Sequence, residues 1–400
     1  MASPVFPSLF TSRAARITLV MSCLFGAMGV VLPYLSRWLA VERGLSGAEI
    51  GAVLSLAQLA RIGTGPLIAL WADGVADRSA PLKLLALGAT GAYAAFFFLA
   101  HDFFSLLAIG FIALTLTQGL VPFVEAATLR ATAEGKFSYG VARGIGSVSF
   151  IIANVAGGAL IARFGLGAVA VWVLSAYALT ALTSMGALKP DLAPAVVAPD
   201  TSRRAPMMSL LGNRRFLVLI VACGLIQAAH AFYYGFSTLV WRAQGVAAET
   251  VGWLWACGVA AEVAFLWGLP WIERQLRPEM LILIGAGGAV LRWVLLGFAP
   301  LGVVLWPLQA MHALSFAATH VGAMRLLYRE VPQSRAGLAQ TLYAALGGGL
   351  LLGLATMASG VLYDSVGAHG YWLMAAMAAL GGGLALRLFA PPRRLVGAEV

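Results

Sequence analysis

From Lys189 to Arg215 the chain reads KPDLAPAVVAPDTSRRAPMMSLLGNRR, with prolines at 190, 194, 199 and 206 and charges at Asp191, Asp200, Arg203, Arg204, Arg214 and Arg215. Prolines deprive a helix of donors and the charges demand water, so this composition predicts an extended, solvated tether and not a domain. On both sides of it the chain consists of long apolar runs. They cover 17–39, 46–71, 82–100, 104–128, 140–163 and 166–187 before the tether, and 216–241, 249–272, 279–297, 300–328, 337–362 and 369–389 after it. Each is long enough to cross a bilayer as a helix, which takes roughly 20 residues. The breaks between them carry turn and capping residues, as in Glu42-Arg43-Gly44-Leu45-Ser46 and Val331-Pro332-Gln333-Ser334. The expected fold is therefore an all-α membrane protein of twelve transmembrane helices. It divides into an N-terminal six-helix bundle over 1–188, a linker over 189–215 and a C-terminal six-helix bundle over 216–400. Repeated halves of this kind place a solute site at their interface.

Composition leads to the same solvent. The 400 residues are 61% hydrophobic and 10% charged, with a mean hydropathy of +0.89. Soluble domains carry about 25% charged residues, so this chain has too few charges to cover a water-facing surface. The net charge of +10 raises the question of nucleic acid, but no Lys/Arg stripe interleaved with aromatics is present, and no nucleic-acid partner is expected. The basic residues instead sort by loop. Nineteen fall on the side of the N-terminus, among them Arg13, Arg16, Arg78, Lys83, Arg130, Lys136 and the linker cluster. Only Arg37, Arg43, Arg163 and Arg242 fall on the other. Under the positive-inside rule both termini and the linker are cytoplasmic, and the expected location is a bacterial-type inner membrane. The stretch up to Arg16 reads as the lead-in to a retained first helix rather than a cleaved signal. Cys23, Cys223 and Cys257 lie in apolar runs at no ligand spacing, so neither a metal nor a cofactor is expected. No nucleophile–base motif or phosphate loop supports an enzyme.

A few ionisable groups remain inside the spans: Arg61, Glu125, Arg143, His230, Glu262, Arg292, His312 and His320. Each costs about 2.5–3.5 kcal/mol at a helix centre on insertion scales, so they are expected to face a wet cavity or a partner. At 100° per residue, Gln58, Arg61 and Gly65 share one face, as do Gln118, Pro122 and Glu125, and also Arg143, Ser147 and Asn154. Gln227, His230, Tyr234 and Thr238 form another stripe, and Gln309, His312, Phe316 and His320 a further one. Glu125 and Arg143 flank the same short loop and are expected to pair. In the second half Glu262, Arg292 and the three histidines make a titratable set of the kind proton coupling requires.

The stretch Gln227-Ala-Ala-His-Ala-Phe-Tyr-Tyr-Gly-Phe-Ser237, with Trp241, Leu254-Trp255, Ala261-Glu262-Val263, Leu291-Arg292-Trp293, Gln309, His312-Ala313, Phe316 and His320, resembles the phenylpropionate permease family of the major facilitator superfamily. Leu32-Pro33-Tyr34, Ala60-Arg61 and Tyr139-Gly140-Val141-Ala142-Arg143 extend the resemblance over nearly the whole chain. It implies two pseudosymmetric six-helix bundles around a midplane cavity, and proton-linked uptake. The family is similar to lactose-permease-like symporters, whose Glu–Arg pair on the fourth and fifth helices resembles Glu125 and Arg143. Their coupling carboxylate, Arg and His would correspond to Glu262, Arg292 and His312 or His320. The superfamily's gating loop, Gly-x-x-x-Asp-Arg-x-Gly-Arg-Arg, survives as Asp77-Arg78, with Gly74 one residue out of place and the basic pair absent. Asp77, Arg78 and Arg61 are the expected gating residues.

The expected function is proton symport of a small aromatic carboxylate by a monomer. Tyr34, Phe232, Tyr233, Tyr234, Trp255 and Phe316 would stack the ring, Gln227 and Gln309 would supply hydrogen bonds, and an arginine would take the carboxylate. A sugar or nucleoside symporter, a proton-antiporting exporter of drugs or metabolites, and a non-transporting membrane sensor are the alternatives. The last is disfavoured because no loop is long enough to signal.

Overall fold

The computed structural model describes residues 12–133, 138–192 and 204–390. Twelve rods run antiparallel in sequence: α1 (Arg13–Glu42), α2 (Gly47–Asp73), α3 (Ala80–Phe98), α4 (Phe103–Ala133), α5 (Tyr139–Phe164), α6 (Gly167–Ala187), α7 (Arg214–Ala243), α8 (Ala248–Trp267), α9 (Pro278–Gly297), α10 (Leu305–Ala310, Ala313–Ala318 and Thr319–Glu330), α11 (Ala336–Tyr343, Ala344–Leu351 and Leu352–Val366) and α12 (Tyr371–Ala385). The starts follow from the sequence. Ser12, Ser46, Ser138 and Asn213 cap α1, α2, α5 and α7, with a full Ser46–Glu49 capping box, and prolines open α3 and α9. Outward faces are apolar: Trp267 is 81% exposed and Phe104 76%, which only lipid makes tolerable.

Two expectations change. The linker contains an eight-residue helix, Arg204–Leu211, where an extended tether was expected; Pro194, Pro199, Asp200 and Arg203 lie outside the described residues, as does Lys136. The seventh, tenth and eleventh spans are also not continuous α-helices. α7 breaks at Ala229–His230, and α10 and α11 each contain a π-helical stretch, Ala313–Ala318 and Ala344–Leu351. Such stretches leave the regular ladder and concentrate at functional sites.

The halves repeat each other. Gly44 and Gly245, both with positive φ, end the first rod of each half, and Gly165 and Gly367 end the fifth; only glycine adopts this conformation without strain. After the first turn, Ile50-Gly51 recurs as Val251-Gly252. These two glycines do the same work across the interface. A Cβ on Gly51 would stand 3.0 Å from the Gly360 Cα of α11, and one on Gly252 would overlap the Asn154 carbonyl oxygen of α5. Asp364 adds a carboxylate cap from α11 onto α2, accepting the Gly47 and Ala48 N–H groups at 2.7 and 2.8 Å. All of these contacts lie at the end of the bundle remote from Ser12 and Ala390, called the far end below. They close it.

Adding a methyl at Gly252 should therefore pry α5 from α8. Overpacking of this kind costs about 1–3 kcal/mol and falls only on the conformer whose far end is shut. Gly252→Ala is expected to raise the labelling rate of Ile161→Cys, which lines the far-end vestibule, by a membrane-impermeant thiol reagent in a background without native cysteines. An unchanged rate would show that this seam does not control closure.

Candidate functional site

The break in α7 places His230 at a fully buried corner facing α9 and α10. Arg292 of α9 is also fully buried. It donates to His312 Nδ1 at 3.1 Å, Ser315 Oγ at 3.2 Å and Gln309 Oε1 at 3.0 Å. Its guanidinium lies 4.5 Å from the ring centroids of both Tyr233 and Trp293, contacts that offset part of its desolvation. Among the described residues it has no carboxylate partner within ion-pair distance. The protons of the cluster follow from these contacts, because arginine only donates. His312 Nδ1 must accept, so its proton sits on Nε2, facing Glu262 Oε2 at 3.6 Å. His230 Nδ1 donates to the Gln227 carbonyl at 3.0 Å, so its Nε2 accepts from the Ser315 hydroxyl at 3.0 Å. The hydrogen bonds from His312 through Arg292 and Ser315 to His230 are thereby consistent with both histidines neutral, while the buried Nε of Arg292 has no hydrogen-bond partner among the described residues. Glu262 is the carboxylate at the His312 end of this series.

The two halves present unlike surfaces where they meet. On the C-terminal side, around the π-helical stretch of α10, His312, Phe316 and His320 stack with ring planes 11° and 7° apart. Tyr234 stacks on His230, and Gln227 donates to the Phe316 carbonyl. On the N-terminal side Arg143 faces Glu125 at 3.6 Å, donates to Ser147 at 3.0 Å and covers the Phe25 ring at 4.5 Å. Both members of that pair are more than a third exposed. Arg61 is half-buried on α2 beside Gly348 and Gly349 of α11, and has no ion-pair partner among the described residues.

The register across the interface explains the facing of Arg143 and Glu262. α5 and α8 meet at Asn154–Gly252 and Gly158–Ala248. Eleven residues back along α5 and ten forward along α8, roughly 15 Å in each case, bring these two side chains opposite each other, within electrostatic range. Tyr34 and Trp255 sit elsewhere. The Tyr34 hydroxyl donates to the Asn154 carbonyl at 3.0 Å in the far-end seam, and Trp255 is buried, stacked on Tyr233 at 4.6 Å.

The MFS_1 like family model matches residues 15–374. The chain belongs to that family. As an MFS_1-like protein it is a transporter, not an enzyme. It is 30% identical over 358 residues to the Escherichia coli (strain K12) protein named "Probable 3-phenylpropionic acid transporter", covering 88% of this chain and 92% of that one. It is 24% identical over 379 residues to the maltose permease of Geobacillus stearothermophilus, covering 94% of each. The crystal structure of the nucleoside transporter NupG superposes with a TM-score of 0.79 at 15% identity, covering 95% of this chain and 100% of that one; this likeness concerns the fold alone.

In this MFS_1-like chain the Asp77-Arg78 loop is tied to the start of the linker. Asp77 accepts from the Asp191 N–H at 2.8 Å and from the Ser79 N–H and hydroxyl, both at 2.9 Å, while the Arg78 N–H donates to the Asp191 carbonyl at 2.9 Å. Burial pushes the Asp77 carboxyl up, but these hydrogen bonds outweigh it and hold the group below the usual carboxylate range. The stability this confers is fully present above the ordinary carboxylate pKa and is lost as pH falls through the lowered native value. Asp77→Asn is accordingly expected to flatten the fall in thermal midpoint between about pH 5 and pH 3, read by intrinsic fluorescence; an unaltered pH profile would remove Asp77 as its origin.

Several participants escape sequence reading. Ser315 joins Arg292 to His230, and its position three residues after His312, on the same buried face, is a signal that was available. Phe25 under Arg143, and Thr356, which donates to Gln58 at 3.0 Å across the interface, carry no local signal, because their partners are more than a hundred residues distant.

Proposed function

We propose that the protein is a monomeric proton symporter that takes up a small aromatic carboxylate of the 3-phenylpropionate kind across a bacterial inner membrane. The observation that carries this reading is the pairing of unlike walls: Arg61 and Arg143 on one side, and Tyr234, Phe316 and His320 on the other. An aromatic ring gains by stacking on the second wall while its carboxylate takes a fork of hydrogen bonds from the first. The unpaired charge of Arg61 favours an anion over the neutral sugar suggested by the maltose permease relative. The name of the Escherichia coli relative supports the same solute class.

Coupling follows from the facing of Arg143 and Glu262. An anion bound at Arg143 takes up the positive charge that Glu262 otherwise sees, which makes a proton on Glu262 more favourable. Solute and proton then bind cooperatively, as symport requires. His312 presents its Nε2–H to Glu262 and steadies the ionised form, while Arg292 holds His312 in that tautomer. The basic asymmetry supports cytoplasmic termini; in that orientation the closed far end is periplasmic and the opposite end opens inward.

Purified protein in proteoliposomes is expected to accumulate labelled 3-phenylpropionate under an inward proton gradient and to release it on addition of a protonophore. Accumulation of maltose in its place would transfer the assignment to sugars. No accumulation of either solute under any gradient would end the symport reading.

A further inference from the structure

A cavity lies apart from the interface, at the termini end of the N-terminal half. It encloses about 220 Å³ between the ends of α1, α3 and α4 and the chain leaving α6. Its rim carries five cations, Arg13, Arg16, Arg78, Arg130 and Lys189, against one lining carboxylate, Asp191. Asp191 is already shared, at 2.5 Å from Arg13 and 3.5 Å from Arg130. Asp77 is adjacent, but its oxygens are committed to the Asp191 N–H and to Ser79. The Nε of Arg16 is buried and finds no hydrogen-bond acceptor, and the buried Nε of Arg130 has only the Asp191 carboxylate at 3.5 Å, without hydrogen-bond geometry. The N-terminus of α3 opens on the same space: Ser79 lines it, and its hydroxyl turns to Asp77 instead of capping the helix. Below the rim the floor is apolar, formed in part by Leu82 and Ala131.

Buried guanidinium donors without acceptors are costly. Like charges gathered around a low-dielectric hollow repel unless a counter-charge fills it. A compact phosphoryl oxyanion, singly charged as a diester or up to doubly charged when free, relieves both, since its tetrahedral oxygens accept from several arginine forks and from the first turn of a helix at once. We propose that this cavity binds a phosphate-type anion, free or as the headgroup of an anionic lipid. Bound there, it bridges α1, α4 and the α2–α3 loop to the first residues of the linker, and so fastens the linker to the N-terminal half.

The test uses delipidated full-length protein in a neutral detergent. One arm compares sodium phosphate with sodium chloride at matched ionic strength; the other compares micelles doped with phosphatidylglycerol against phosphatidylcholine, without phosphate. A saturable rise in the thermal unfolding midpoint is expected in at least one arm. A rise with phosphate alone identifies a free anion, and a rise with phosphatidylglycerol alone a headgroup. The double variant R16Q/R130Q is expected to weaken the apparent affinity at least about tenfold, the effect of losing charged hydrogen bonds, with its midpoint in chloride kept near that of the parent. Should the double variant fail to fold, Lys189→Gln, exposed on the linker, is expected to weaken it by a smaller factor. No rise in either arm, or a rise that survives undiminished in the variant tested, overturns the proposal.

Discussion

Arg143→Ala is expected to abolish solute binding while leaving the fold intact. The side chain is more than a third exposed and its ion pair with Glu125 is long, at 3.6 Å. Exposed pairs of this kind contribute about 0–1 kcal/mol to stability, so the thermal midpoint should hardly move. Binding is another matter. A carboxylate held by two charged hydrogen bonds loses about 3–6 kcal/mol when both donors go, at 1.5–3 kcal/mol each, which weakens Kd by a factor of more than about 100. Arg143→Lys keeps the charge and loses the planar fork, so an intermediate loss is expected. Titration calorimetry with 3-phenylpropionate separates these outcomes. Unimpaired binding to Arg143→Ala would move the carboxylate receptor to Arg61 and break the proposed link to Glu262.

Glu262→Gln is expected to end uphill accumulation and to spare exchange. Glutamine has nearly the shape of a protonated glutamate and its carbonyl still faces His312 Nε2–H, so the neighbouring hydrogen bonds and the aromatic wall persist. What disappears is the change of charge that ties solute movement to the proton. For one coupled proton the wild-type accumulation ratio rises about tenfold per unit of pH gradient. In the variant it should stay near unity at every gradient, while labelled solute still exchanges with unlabelled solute across the proteoliposome membrane. Gradient-dependent accumulation by Glu262→Gln would show that the proton is carried elsewhere. A variant that also fails to exchange would indicate that Glu262 shapes the site instead of coupling it. The two variants are complementary, because one tests recognition and the other tests coupling at side chains that face each other across the interface between the halves.

Much of this molecule is written in local patterns. Span length and the proline-rich break at Lys189–Arg215 determined a helical membrane protein of six plus six rods, because a chain with so few charges must satisfy its backbone within helices. The caps at Ser46, Ser138 and Asn213 marked where rods begin. Helical spacing was enough to gather Gln227, His230 and Tyr234, or His312, Phe316 and His320, on single faces, since these relations lie within a few turns of one helix. It also set Glu125 and Arg143 on either side of one loop, where the structure joins them.

Tertiary structure decided how those faces meet. Sequence reading put Glu262 and Arg292 in one titratable set, but the packing of α9 on α10 placed His312 between them and settled which nitrogen of each histidine holds the proton. The π-helical stretch of α10, which a 100° periodicity cannot foresee, lies between His312 and His320, whose rings stack on either side of Phe316. Tyr34 read as a cavity aromatic; the approach of Gly158 and Gly252 drew it into the far-end seam. The division of the chain into two halves needed only the solvent to be known, because burial in lipid acts on each span separately. The facing of Arg143 and Glu262 rests on the register of α5 against α8, which is fixed by glycines and a carbonyl about 15 Å from either charge, on helices that no local rule relates.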